Sequence, residues 1–297
     1  MKEISYKNQF GDTLFGNSWE IENPEKLVII ITGMAEHSER YDDFAKFLNS
    51  NKMSVYCLDH YGQGEGKNGE LGNPVDGFFF KMQDTVLEFS KKLREEHPGL
   101  PVYIFSHSMG SFVTQGYLEK YGDSIDKFVI CGSDGPNGAV KMGKTLSHMI
   151  VTKKNRDKKA TLLNDLAVGA YSKPHKKDYS LNAWLSYNKD NVLKYDADPY
   201  SGYVCTNGFY RSFMDGMASI QNKKNLAKVN KNIPIFIIAG QDDPVGNFGK
   251  GVKKLFELYK KFDLNVECKI YEHMRHEILN EDDHQKVYED ILAFYNE

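Results

Sequence analysis

Cysteine is scarce and never paired. Cys57, Cys131, Cys205 and Cys268 are scattered over 297 residues with no C-x-x-C spacing. This argues against structural zinc and leaves buried free thiols as the expectation. No run approaches the ~18 consecutive apolar residues of a membrane span. The opening Met1-Lys2-Glu3-Ile4-Ser5 has no apolar h-region, so no signal peptide and a cytoplasmic location are expected. A net charge of -3, with no basic run interleaved with aromatics, argues against nucleic acid as a partner. Internal repeats and low-complexity tracts are also missing. What is present is a 40% hydrophobic and 13% aromatic composition, enough for a large core.

The apolar residues come in two alternating rhythms. Ile4 to Glu20 alternates loosely around the turn dipeptide Gly11-Asp12 and reads as a hairpin. Leu27-Val28-Ile29-Ile30-Ile31 is a nearly continuous β-branched run, the pattern of a parallel strand buried on both faces. Further strand-like runs are Val55–Leu58, Val102–Phe105, Phe128–Cys131, Ile235–Ile238 and Val266–Tyr271. Between them lie segments with helical spacing, such as Phe79, Met82, Val86, Phe89 and Leu93. Strands alternating with helices predict an α/β protein. Its mostly parallel central sheet should hold about eight strands, with helices on both faces.

One stretch interrupts the alternation. Residues 134–205 contain no strong strand and two or three plausible helices, and they lie between two core strands. We expect an inserted helical cap, with the core formed by 1–133 and 206–297. From Gly135 to Cys205 there are twelve Lys and Arg against six Asp, a balance of +6, which leaves -9 for the rest of the chain. Such a face attracts anionic or amphiphilic substrates, or is simply solvated.

The strand Val102–Phe105 stops at Ser106-His107-Ser108-Met109-Gly110, and a helix-compatible segment follows. Strand, sharp turn and helix with a serine at the tip is the arrangement of a nucleophile elbow, although Ser106 replaces the first glycine of G-x-S-x-G. A serine needs a base, a group to orient the base, and donors for the oxyanion. In this architecture the acid and the histidine follow the serine in that order. Ile235–Ala239 runs into Asp242 and Asp243. The last strand runs into His273-Met274-Arg275-His276, of which His276 is the favoured base and His273 the second choice. Expected oxyanion donors are the N–H of Met109, the residue after the nucleophile, and of Met34 in the loop after the first central strand. The His-x-x-His pair lacks a completing ligand set, so no metal is expected. Gly64-Glu65-Gly66-Lys67-Asn68-Gly69 is a literal G-x-G-x-x-G, but it follows its strand too late and precedes no immediate helix, so it reads as a loop.

These segments resemble the monoacylglycerol lipase and lysophospholipase group of the α/β-hydrolase superfamily over nearly the whole chain. The family loop H-G-x-x-E-H-S-x-R-Y appears as Thr32-Gly33-Met34-Ala35-Glu36-His37-Ser38-Glu39-Arg40-Tyr41, and D-x-x-G-x-G as Asp59-His60-Tyr61-Gly62-Gln63-Gly64. The elbow G-H-S-M-G appears with Ser106 in place of glycine. The loop G-x-x-D-P-V carries the acid to Asp243, and R-H-E carries the base to His276. The cap shares mainly Trp184-Leu185-Ser186 and Asp198-Pro199. The resemblance implies a cofactor-free serine esterase with Ser108, His276 and Asp243 as triad. It further implies a monoglyceride or lysophospholipid substrate. Transient membrane-surface contact through the cap and oligomeric state are left open. The alternatives are a proline-iminopeptidase-like serine peptidase, which would need an acidic cap site for an amine, and a non-catalytic binding protein on the same fold.

Overall fold

The computed structural model describes residues 1–65 and 67–297. Gly66 of the glycine-rich motif lies outside the described residues. Gly64 and Gly69 have positive φ and fall well before the next helix, as a loop would place them.

Eight strands form one sheet: β1 (Lys2–Lys7), β2 (Thr13–Trp19), β3 (Lys26–Ile31), β4 (Met53–Leu58), β5 (Val102–His107), β6 (Lys127–Cys131), β7 (Ile235–Gly240) and β8 (Val266–Tyr271). Their order is β1-β2-β4-β3-β5-β6-β7-β8. The β1–β2 hairpin and the β2–β4 pair are antiparallel, and all other pairs are parallel. The register stacks Ile29 beside Ile104, Ile104 beside Phe128, and Ile237 beside Cys268.

The continuous β-branched runs are explained by coverage of both faces. On one face Ile29, Ile104, Phe128 and Ile237 pack with residues of α2 (Phe78–Glu96), α3 (Met109–Tyr121) and α10 (Lys250–Lys261). On the other, Val28, Ile30, Phe105 and Val129 pack with α1 (Asp42–Ser50) and α11 (His284–Asn296). A fully buried side chain of this kind contributes about 1.5–3 kcal/mol relative to exposure. The strands outside the central parallel run alternate instead: β1 and β8, at the two edges, and β2 beside β1 each leave every second residue more exposed. Cys268 is therefore half-buried, unlike the three fully buried cysteines, and all four are free thiols.

The connection from β6 to β7 carries α4 (Gly138–Ile150), α5 (Thr161–Ala167), α6 (Gly169–Ser172), α7 (Lys189–Ala197), α8 (Asn207–Met217) and α9 (Lys223–Leu226). Within 134–205 there are thus four α-helices plus short 3₁₀ turns, more pieces than the sequence pattern predicts. The apolar stretch Leu162–Tyr171 breaks at Val168 into helices of 7 and 4 residues, too short for a periodicity of their own. Among the described residues no helix is long and apolar enough to cross a membrane.

The sheet order reverses at β3. Its successor β4 lies on one side, and the chain then crosses to β5 on the other. Loops leaving the carboxyl ends of β3 and β5 diverge there and leave a crevice, the usual ligand position of an open α/β sheet.

Candidate active site

Ser108 sits at that crevice, between β5 and α3. Its backbone is held at φ 51° and ψ -119°, a sparsely populated region for a residue with a side chain. The turn is closed by the Ser108 N–H donating to the Cys131 carbonyl at 3.0 Å. Close packing dictates the flanking residues. A Cβ on Gly110 would lie 2.2 Å from the Ile31 carbonyl oxygen, so only glycine fits there. Ser106 is tolerated where glycine is usual because its hydroxyl donates to the Val129 carbonyl at 3.0 Å.

The structure brings Ser108, His276 and Asp243 together from the ends of three strands. Ser108 Oγ donates to His276 Nε2 at 2.8 Å, and His276 Nδ1 donates to Asp243 Oδ2 at 2.9 Å. Asp243 Oδ1 accepts from the Val245 N–H at 2.8 Å, which leaves the carboxylate little freedom. His276 is 2% exposed and Asp243 is fully buried. The neighbours are placed elsewhere. His273 is exposed in a left-handed turn, and Asp242 accepts from the Tyr187 hydroxyl at 3.0 Å.

Met34 lies in the loop after β3 and Met109 begins α3, and both line the space beside Ser108. Neither N–H has an acceptor among the described residues. Around Met34 the loop is held by side chains. The Glu36 carboxylate accepts from the Gly33 N–H, and Gln63 accepts from the Ala35 N–H at 2.8 Å while donating to the Gly33 carbonyl at 2.9 Å. Thr32, in place of the family histidine, takes no part through its side chain. Its buried hydroxyl has no partner among the described residues.

A buried cluster of charges supports both loops. Arg40 forks onto Glu277 at 2.8 and 2.7 Å, donates to Glu36 at 2.8 Å, and lies 4.8 Å from the Tyr195 ring. Burial opposes ionisation of Glu36, yet contact with His107, Arg40 and Tyr41 holds its carboxyl far below the usual range. Glu277 is likewise pulled down against burial by the Arg40 charge. His107 packs against His276 with ring centroids 4.6 Å apart and meets the His276 carbonyl at 3.2 Å. Burial alone would lower its imidazole pKa, but the adjoining Glu36 carboxylate outweighs burial and raises it. Sequence reasoning assigned no role to Glu36, Arg40, Gln63 or Glu277. Their only signal is that they stand inside the motifs that carry the family resemblance.

The segment 183–188 straps onto the histidine loop. The Glu277 N–H donates to the Leu185 carbonyl at 2.7 Å, and Glu281 accepts from the Ser186 hydroxyl at 2.7 Å. Trp184 is thereby set 5.3 Å from the His276 ring, centroid to centroid. Together with Val168, Met34 and Ser108 it stands between two chambers. One, of about 330 Å³, is walled by apolar side chains including Leu146, Leu163, Phe213 and Met214. The other, of about 400 Å³, is lined by Arg40, Asn164, Lys173, Lys176 and Asn182 among others.

An eight-stranded, mostly parallel sheet with an elbow serine at its switch point defines an α/β-hydrolase fold. Residues 22–283 match the family described as "Serine aminopeptidase, S33", and the chain belongs to that family. It is 26% identical to the monoglyceride lipase of Homo sapiens over 281 residues, covering 92% of this chain and 84% of that one. A monoglyceride lipase homolog of Monkeypox virus is also 26% identical, over 288 residues, 94% of this chain and 92% of its own. Among solved structures, a thermostable carboxyl esterase from Bacillus coagulans in complex with glycerol superposes with a TM-score of 0.88 at 26% identity. That match covers 99% of this chain and 97% of the esterase.

Proposed function

We propose that this chain is a serine esterase that hydrolyses single-acyl amphiphiles, monoglycerides or lysophospholipids. The observation that carries this reading is the position of Ser108 where an apolar chamber meets a polar one. A substrate with one acyl chain and one polar head fits such a junction with its ester at the hydroxyl. The relatives point the same way, since several are named monoglyceride lipases and one from Haemophilus influenzae is named a probable lysophospholipase.

In this mechanism Ser108 Oγ attacks the ester carbonyl carbon while its proton passes to His276 Nε2. Asp243 orients the imidazole and stabilises its cation. The oxyanion accepts from the N–H groups of Met34 and Met109, each such donor contributing about 2.7–4 kcal/mol to transition-state stabilisation in related chemistry. Collapse breaks the bond to the leaving alcohol, which takes the proton from His276. Water then gives a proton to His276 and attacks the acyl-enzyme carbonyl, and the proton returns to Ser108 Oγ as the acid leaves.

We assign residues 134–205 as a cap over a core of 1–133 and 206–297. Exposed Met142, Met149, Leu162 and Leu166 beside lysines equip that cap for transient contact with a lipid surface. The family description favours a second reading, an aminopeptidase. It would need a carboxylate free to meet the substrate's amine; Glu36 and Glu277 are both engaged by Arg40, and Asp165, the other acid lining the polar chamber, shares it with Lys173 and Lys176. Monoacylglycerol and aminoacyl anilide panels separate the two readings. Ser108→Ala should lose ester turnover by at least about 10⁴-fold with the fold intact by circular dichroism. Turnover retained in that variant, or preference for the anilides, would overturn the assignment.

A further inference from the structure

The polar chamber holds charges of two kinds. Deep inside, Arg40 sits between the buried Glu36 and Glu277 and pairs with both. At the mouth, after α6, the chain makes a 3₁₀ turn over Lys173–His175, with Lys176 still helical at φ -59° and ψ -20°. In such a turn residues three apart eclipse one another. Lys173 and Lys176 therefore rise on one side, and both line the chamber. His175 lies off that side and pairs with Asp178 at 2.7 Å. Neither Lys173 nor Lys176 has a carboxylate within ion-pair distance among the described residues. Elsewhere in the insertion, Lys144 pairs with Asp215, and Arg156 with Asp76 and Asp157. Asp165 also lines the chamber, so outside the Arg40 trio one carboxylate stands with two ammonium groups, while the trio itself carries two carboxylates on one guanidinium.

We propose that Lys173 and Lys176 together recognise a phosphate on the substrate's head group, so that an anionic lysophospholipid is processed in preference to an uncharged monoglyceride. The proposal rests on the esterase reading above and assigns the polar chamber its ligand chemistry. With the ester at Ser108 and the acyl chain on the apolar side, the head group extends towards the lysine pair. Two ammonium groups with rotatable donors suit the several acceptor oxygens of a phosphate. A neutral glycerol head gains nothing from them. Both lysines are exposed, so the attraction falls with added salt.

The test measures kcat/KM for two short-acyl, monomeric esters, a lysophosphatidylglycerol and the monoacylglycerol with the same chain. In the double variant Lys173→Glu/Lys176→Glu the anionic-to-neutral ratio should fall about tenfold, the scale of two exposed charge contacts reversed. Lys173→Arg/Lys176→Arg should restore it. An unchanged ratio overturns the proposal, and so does a ratio that moves only when the lipids form micelles. Inorganic phosphate as competitor distinguishes the sources of the anion. Competition lost in the glutamate variant supports a site for free phosphate as well. No competition with the ratio still shifted supports recognition of lipid-borne phosphate alone. If the wild type hydrolyses neither ester, the esterase reading itself falls. If it hydrolyses the monoglyceride and the ratio is indifferent to the lysines, only this inference falls.

Discussion

The loops at the carboxyl ends of the sheet and the insertion that faces them are built on opposite rules. In the loops, the polar side chains that support the reacting hydroxyl are buried and bonded: Asp243 is 0% exposed, His276 2%, and Glu36 accepts from four neighbouring residues. In the insertion, Met142 and Met149 are 73% and 76% exposed, and Lys173 and Lys176 have no ion-pair partner among the described residues. Fixed dipoles suit charge that develops at a single place in a transition state. Exposed apolar and cationic groups suit substrates that vary in length and head. In the esterase proposed above, the reaction belongs to the loops and the choice of substrate to the insertion.

The sharpest way to break that division is to disturb only the orientation of the base. Asp243→Asn keeps the shape of the acid but offers a donor where His276 Nδ1 needs an acceptor. We expect kcat to fall about 10³–10⁴-fold, as wrong-tautomer substitutions do. Every substrate should suffer equally, measured across acyl lengths. A loss confined to long chains would mean that Asp243 serves the chamber rather than the base.

Arg40 comes next. Arg40→Ala leaves Glu36 and Glu277 buried without their cation, a destabilisation of about 3–5 kcal/mol by denaturant titration. The oxyanion and histidine loops lose their common anchor, so kcat should also fall about 10–100-fold, in line with the effect of ~1 Å misplacements. Arg40→Lys keeps the charge without the fork and should lie between. Wild-type kcat in a destabilised Arg40→Ala would show that the cluster stabilises without positioning.

What was legible in the sequence divides along the same line. Strands such as Leu27–Ile31 and Val102–Phe105 declare themselves because burial on both faces demands an unbroken apolar run. The polar loops that bring Ser108, His276 and Asp243 together stand where those runs stop. The Arg40 clasp is different. It joins residues 237 positions apart, and nothing local distinguishes Arg40 from a solvated arginine. The chamber partition was equally hidden. Trp184 reaches His276 only because the Glu277 and Glu281 contacts hold the 183–188 segment down, and α5 and α6 are too short to signal which side they bury.

A substitution in the insertion should alter selectivity and leave the chemistry in place. Val140, on α4, lines the apolar chamber and is only half-buried. Val140→Trp fills part of that space. The kcat/KM for long acyl chains should fall about tenfold relative to short ones, the scale of a methylene or two in an apolar pocket. A uniform loss at all lengths would mean that α4 reaches the reacting groups and that the two regions are not separable.

The smallest expected effect concerns what dense packing of the loops costs. Asp59 is 5% exposed and accepts from the Ser38 N–H at 2.6 Å and the Ser38 hydroxyl at 3.1 Å. Burial pushes its carboxyl up to about 7, against the pull of those two donors and the nearby His37. In the unfolded chain the group titrates near 3.8. Between those values the folded protein keeps a proton that the unfolded chain has lost. The folded state is therefore favoured most at the acid end, and its advantage shrinks as pH rises through about 7. Asp59→Asn removes this titration. Its melting temperature, relative to wild type, should climb by on the order of 2–4 °C between pH 5 and pH 8. A constant offset over that range would show that Asp59 is ionised throughout and that its two donors outweigh its burial.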